Sequence, residues 1–230
     1  MIGEQELTEL ENKIGYKFKD RNLLLQALTH SSYANEQKIN KRKDYERIEF
    51  LGDAVLELVS SHYLYEKYPD KKEGEMTKLR ASMVCEPALS YCAQEIELDK
   101  YIFLGKGEEA TGGRHRESII ADVMEALIGA IYLDSGLDAA KKHIEKYILD
   151  NPEDKKIFYD SKSVLQEMVQ KDDKGELRYE ICGEKGPEHD KIFESAVYVG
   201  SIKLGEGSGK TKKAAEQKAA YQAILKLKEK

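Results

Sequence analysis

The sequence predicts two domains of different class: an all-α domain first, then a small α+β domain in α-β-β-β-α order. Three observations predict this. Apolar residues recur at helical spacing through most of residues 1–150. Beyond residue 160 the period changes to one helical run, three strand-like runs and a final helical run. The charge balance turns at the same place. Residues 155–230 carry 16 Lys and Arg against 13 Asp and Glu, whereas residues 1–154 carry 21 against 30. The polar stretch 150–160, DNPEDKKIFYD, contains Pro152, which disfavours helix at Asn151. The expected division is therefore 1–150, a linker at 151–160, and 161–230.

The first helical pattern is Arg21–His30, with Leu23, Leu24, Ala27 and Leu28 on one face. Asp44–Tyr68 is a long periodic segment closed by Pro69. Glu75–Val84 and Pro87–Gln94 are shorter, the second with Pro87 in the first turn, where its missing N–H costs nothing. Arg116–Leu133 is strongly apolar and stops at Asp134-Ser135-Gly136, and Leu137–Leu149 follows. In the second domain Ser161–Lys171 carries Val164, Leu165, Met168 and Val169. The strand-like runs are Leu177–Gly183, Ile192–Val199 and Ser201–Gly205. Thr211 is a suitable N-cap for a last helix through Leu227.

Composition excludes several classes. Hydrophobic residues make up 40% of the 230, enough for a globular core. No apolar run is long enough to cross a bilayer, and MIGEQELTELENK lacks the apolar core of a secretory signal, so a cytoplasmic protein with no membrane partner is expected. Cys85, Cys92 and Cys182 form no C-x-x-C pair and are read as reduced thiols. The five histidines show no ligand-like spacing, and His30, His62 and His143 are read as structural.

The chemistry is carried by acids. On a helix through Tyr45–Tyr65, Glu46, Glu49, Asp53 and Glu57 fall within about 80° of one another, opposite the apolar arc. A solvated acidic face accounts for these four alone. The second helical segment is harder to explain that way. From Ile119 to Leu133 the only charged residues are Asp122 and Glu125, set among Ile, Ala, Val, Met, Leu, Gly and Tyr. Such a helix is mostly buried, and an unpaired buried carboxylate costs several kcal/mol or takes up a proton. A hard divalent cation, Mg²⁺ with Mn²⁺ as substitute, is one compensation. Glu49, Asp53, Asp122 and Glu125 would be its oxygen ligands. Ion pairing with Arg80, Arg114 or Arg116 is the other. A carboxylate-held metal suits phosphodiester hydrolysis, because one ion can activate a water and a second can stabilise the leaving oxygen.

Tyr45–Leu56 reads YERIEFLGDAVL, Ala27–Tyr33 reads ALTHSSY, Glu73–Ala81 reads EGEMTKLRA, and residues 121–133 read ADVMEALIGAIYL. In this order, over most of residues 10–150, they resemble the ribonuclease III family, with Ile48 where that family's signature usually has Leu. The resemblance implies that Glu49, Asp53, Asp122 and Glu125 bind catalytic Mg²⁺, with Asp53 and Glu125 central to catalysis. It implies that Glu46 and Glu73 are accessory acids of less defined role. It also implies a homodimer in which Phe50 inserts into the partner. Each subunit would cut one strand of an RNA duplex, leaving 5′-phosphate and 3′-hydroxyl ends with a short 3′ overhang. Processing of ribosomal and other structured precursors is the family expectation.

Gly205–Thr211 reads GEGSGKT, which suggests a nucleotide-binding loop, but Leu204 stands where the first glycine is required and too few residues follow. No nucleotide cofactor is expected. Lys210, Lys212 and Lys213 cluster instead at a helix N-terminus, where lysine charge and the helix end both attract phosphate. With LQEMVQ at 165–170, GPEHDKIF at 186–193 and GEGSGKTKKAAEQKAA at 205–220, Ser161–Leu225 resembles a double-stranded-RNA-binding domain. Such domains read two minor grooves and the phosphates across the major groove between them. The resemblance assigns Ser163, Gln166 and Glu167 to one minor groove, His189 and the Gly186-Pro187 loop to the next, and the three lysines to the phosphates. The alternative is a dimeric double-stranded-RNA-binding regulator without catalysis, its acids purely structural.

Overall fold

The computed structural model describes residues 3–37, 43–151, 155, 157, 160–171, 175–186, 191–209 and 211–228. Pro187, His189 and Lys210 lie outside the described residues, as does most of the 151–160 segment. The chain divides into two units, Met1–Pro152 and Glu153–Lys230.

The first unit is helical. It opens on α1 (Glu4–Ile14), which the sequence reading does not anticipate because only Leu7, Leu10 and Ile14 punctuate a charged run. Those three point inward, and Gly15 closes the helix at φ 66°. The expected Arg21–His30 helix ends three residues early, as α2 (Arg21–Ala27), and a separate helix not expected from the sequence, α3 (Ser31–Glu36), follows. The break is imposed from a distance. Thr29 forms an isolated parallel bridge with Phe103, and the His30 ring caps α3 by accepting the Ser32 N–H at 3.1 Å.

Next come α4 (Glu46–Lys67), α5 (Glu73–Val84) and α6 (Glu86–Gln94). The first turn of α5 starts earlier than expected because Glu75 reaches back to accept the Lys72 N–H. A short helix, α7 (Lys106–Ala110), lies between two 3₁₀ turns, Leu98–Tyr101 and Gly113–His115. The unit ends in α8 (Glu117–Ser135) and α9 (Leu137–Tyr147), separated by Gly136 at φ 80°.

Helix α8 is apolar nearly all round and is correspondingly central, packed on α2, α4, α6 and α9. Val123, Met124, Ala126, Leu127, Ile128, Ala130 and Ile131 have no exposed surface. Among the described residues no helix is long and apolar enough to cross a membrane.

The second unit is α10 (Ser161–Lys171), an antiparallel sheet in order β1 (Leu177–Lys185), β2 (Ile192–Val199), β3 (Ile202–Gly209), and α11 (Lys212–Lys228). Its core joins Leu165 and Val169 to Val197, Val199, Ala219, Ala220, Ala223 and Ile224. Ile157 packs on the same core, and the Ser161 hydroxyl donates to its carbonyl at 2.6 Å.

Strand β3 runs four residues past its expected end at Gly205. Glycine is a poor strand former, so the run GEGSG reads as loop. Here Gly205, Gly207 and Gly209 alternate onto the face that meets α11. A Cβ on Gly205 would sit 2.3 Å from the Ala219 carbonyl oxygen, and one on Gly207 would sit 2.4 Å from the Ala219 nitrogen. These glycines permit the close approach of strand and helix.

Candidate metal centre and nucleic-acid module

The position of the acids is set by a crossing of two helices at two glycines. A Cβ on Gly52 of α4 would stand 1.8 Å from the Glu125 carbonyl oxygen, and one on Gly129 of α8 would stand 2.3 Å from that of Ile48. Backbone therefore meets backbone where α4 and α8 touch. Glycine costs about 1 kcal/mol against alanine in a helix. The close approach is the packing reason that offsets it.

Glu49 and Asp53 flank Gly52 on α4, and Asp122 and Glu125 precede Gly129 by one to two turns on α8. One carboxylate oxygen each from Glu49, Asp122 and Glu125 lies within 4.8 Å of the other two. Asp53 stands outside that mutual set, more exposed, although its charge is felt at both Glu49 and Glu125.

The electrostatics follow from burial and crowding. Desolvation pushes the Glu125 carboxyl up to about 8, with the charges of Asp53, Glu49 and Asp122 adding to the shift. Desolvation also raises Glu49 to about 7, reinforced by Asp122, Glu46 and Asp53. Asp122 is raised by burial, against the opposing effects of a hydrogen bond from Tyr45 and the nearby His30. Asp53 is raised by burial and by Glu57.

None of the arginines weighed as structural partners serves these four acids. Arg80 donates to the Ser61 hydroxyl at 2.7 Å and lies 3.9 Å from Glu57. Arg114 is held by Glu109 and the Asp99 carbonyl, and Arg116 by Glu108 at 2.7 Å. Among the described residues no cation pairs with Glu49, Asp53, Asp122 or Glu125.

The donor set fits a hard divalent cation. All its ligand atoms are carboxylate oxygens, the preferred partners of such ions. Oxygens bound at about 2.1 Å stand at most about 4.2 Å apart across the ion. A set already within 4.8 Å needs only small side-chain rotations to reach that spacing.

The remaining expected residues are distributed as follows. Glu46 opens α4, and its charge acts on Glu49. Glu73 is apart from the three-acid set. It accepts the Thr77 hydroxyl at 2.9 Å and lines a cleft with Leu58, Tyr65 and Met76. Phe50 is 79% exposed. Sequence reasoning missed three residues: Tyr45, whose hydroxyl donates to Asp122 at 3.2 Å, and the two crossing glycines. A glycine inside an apolar helical run was the available signal for the latter.

In the second unit Ser163, Gln166 and Glu167 are exposed on α10, and Lys212 and Lys213 are exposed in the first turn of α11. Thr211 caps that helix by accepting the Ala214 N–H at 3.1 Å. Gly186 follows β1 at φ 96°, a left-handed conformation that glycine tolerates.

Residues 20–151 match a family model described as Ribonuclease-III-like, and residues 161–227 match the double-stranded RNA binding motif. Fold and site together define a nuclease domain joined to a duplex-binding domain, a double-stranded-RNA endoribonuclease. Ribonuclease 3 of Bacillus cereus (strain G9842) is 50% identical over 95% of this chain and 90% of its own length. That of Caldanaerobacter subterraneus is 51% identical over 96% and 98%. The nuclease domain of ribonuclease III from Campylobacter jejuni is 41% identical, with a TM-score of 0.58, over 64% of this chain and 96% of that one. A second structure of that domain, described as flexible in a region involved in dimer formation, has a TM-score of 0.56 at 42% identity, over 61% of this chain and 97% of its own. The chain belongs to the ribonuclease III family.

Proposed function

We propose that this protein is a Mg²⁺-dependent, homodimeric enzyme that cuts each strand of an RNA duplex, leaving 5′-phosphate and 3′-hydroxyl ends with a short 3′ overhang. The observation that carries the reading is the acid set of Glu49, Asp122 and Glu125, gathered from two helices and, among the described residues, held in no ion pair. Mn²⁺ is the expected substitute ion. Cytoplasmic processing of ribosomal and other structured precursors is the setting the family suggests.

Glu49, Asp122 and Glu125 would hold the ion, and Asp53 would join them by rotation of an exposed side chain. A bound ion of this kind supplies an acidified water and charge stabilisation at the leaving oxygen. The protein's share is pre-arrangement. The glycine crossing fixes the two helices, so the carboxylates need little reorganisation when the substrate arrives. Glu46 and Glu73 are proposed as accessory acids.

The second unit grips the duplex by shape. Lys212 and Lys213, with Lys210, hold phosphates at the N-terminus of α11. Ser163, Gln166 and Glu167 enter one minor groove, and His189 with the Gly186-Pro187 loop enters the next. For the dimer, Phe50, Leu58 and Tyr65 of α4 are exposed at 79%, 58% and 73%. They form an apolar stripe beside a mixed cleft of about 540 Å³, lined by Leu58, Leu64, Tyr65 and Met76 and by polar residues that include Glu73 and Arg80. That stripe supports Phe50 as the residue that enters the partner.

The test is a perfect RNA duplex incubated with and without Mg²⁺. Cleavage of duplex and not of single strands, in Mg²⁺ only, is expected. Glu125→Gln should keep duplex affinity and lose cleavage. Duplex binding with no cleavage in either Mg²⁺ or Mn²⁺ would return the protein to the non-catalytic alternative.

A further inference from the structure

Tyr45 stands at the junction of everything that sets the acid cluster in place. It is the N-cap residue of α4, 3% exposed, and its carbonyl accepts the N–H groups of Ile48 and Glu49 at 2.8 and 2.9 Å. The first hydrogen bonds of the helix that carries Glu49 and Asp53 therefore start from this residue. Its own N–H donates to the Thr29 carbonyl at 2.9 Å, and its ring packs on His30 at 5.6 Å between centroids.

The segment that holds Tyr45 is itself tied down. His30 N–H donates to the Phe103 carbonyl, and Phe103 N–H donates to the Leu28 carbonyl. The Ser32 hydroxyl lies 2.7 Å from His30 Nδ1 and accepts the Gly105 N–H at 2.9 Å. The phenol is thus fixed at ring, backbone and neighbour before it reaches the site. There its hydroxyl donates to Asp122 Oδ2 at 3.2 Å, on the other helix. Among the described residues, this is the one hydrogen bond that any of Glu49, Asp53, Asp122 and Glu125 accepts from a side chain.

A carboxylate without such a donor turns freely about its last bond and must be ordered each time a ligand arrives. Partners in the second layer around a metal fix that orientation and typically contribute about 10–100-fold in affinity or activity. We propose that Tyr45 is a positioning residue for the metal centre. Its hydroxyl holds one oxygen of Asp122 so that the carboxylate is presented to the cation in a fixed orientation and in register with Glu49. The proposal rests on the metal-site reading given above.

The test is Tyr45→Phe, which keeps the ring against His30 and removes only the hydroxyl. Mn²⁺ binding to the RNA-free protein, followed by electron paramagnetic resonance, should weaken by about 10-fold. The Mg²⁺ concentration for half-maximal cleavage should rise by a similar factor. The rate at saturating Mg²⁺ and the duplex affinity without metal should stay at wild-type values, a split that general loss of structure does not produce. In the Asp122→Ala background, adding Tyr45→Phe should change Mn²⁺ binding no further. Wild-type Mn²⁺ affinity and Mg²⁺ dependence in Tyr45→Phe would overturn the proposal alone. Wild-type protein that binds Mn²⁺ no better than Glu125→Gln would overturn the metal site and the proposal together.

Discussion

Gly52→Ala is a sharp test because two effects of opposite sign compete at that position. At an open helical site the change would stabilise the protein by about 1 kcal/mol, since alanine is the better helix former. At Gly52 the new methyl would sit 1.8 Å from the Glu125 carbonyl oxygen, 2.7 Å from its carbon and 2.9 Å from the Gly129 nitrogen. All three atoms are backbone, so no side chain can swing aside. The helices must part by about 1.2 Å or more before the contact becomes tolerable. Overpacking of this kind costs about 1–3 kcal/mol, and the upper end applies where backbone meets backbone. Roughly 3 kcal/mol lowers the midpoint of a unit of about 150 residues by about 6–12 °C. The same displacement separates Glu125 from Glu49, and a misplacement of about 1 Å at a reacting centre costs about 100-fold in rate. Calorimetry that separates the transitions of the two units, with single-turnover cleavage at saturating Mg²⁺, measures both. A variant that melts at or above the wild-type temperature and cleaves normally would refute the crossing as the device that sets the site.

Lys212→Ala with Lys213→Ala should weaken duplex binding and flatten the log–log salt slope by about one per lysine, read by titration at several salt concentrations. An unchanged slope removes these lysines from the phosphate contacts. Phe50→Asp should convert dimer to monomer in sedimentation and leave duplexes nicked on one strand, and a fully dimeric variant would exclude this stripe as the interface. His143 is buried against Tyr147, and desolvation lowers its pKa to about 4 from the ordinary 6.5. Between those values the unfolded chain binds the proton and the folded one does not. Stability is therefore intact above pH 6.5 and falls on the order of 3 kcal/mol as pH drops toward 4. His143→Phe should flatten this acid limb in thermal melts from pH 4 to 7, and parallel curves for the two proteins would contradict it.

The acids of α8 were legible because nothing near them in sequence explains them. Asp122 and Glu125 are isolated in an apolar run, and that isolation calls for a compensating partner or a bound proton. What the sequence withheld was geometry across elements. Asp53 and Glu49 read as equivalent from spacing, yet only Glu49 joins the mutual 4.8 Å set, because side-chain direction depends on the helix opposite. The early end of the Arg21–His30 helix, at Ala27, goes with the pairing of Thr29 to Phe103, more than seventy residues away in the chain. Helix α1 is too charged to announce itself, and its three apolar contacts acquire meaning only against the core. The extension of β3 was hidden because glycine opposes the strand locally, and α11 overrides that preference.

The glycine face of β3 has a consequence for how the second unit tolerates change. Its contact with α11 joins Gly205, Gly207 and Gly209 to Ala214, Ala215, Ala219 and Ala223. Glycine has no side chain to shorten and alanine only one methyl, so nearly every substitution there enlarges. Any larger group acts as a wedge under the helix whose first turn carries Lys212 and Lys213. The placement of that first turn is thus set by backbone and methyl contacts of glycine and alanine, with the Cβ of Lys218 among them. A single added methyl beneath the helix would shift the turn that presents Lys212 and Lys213.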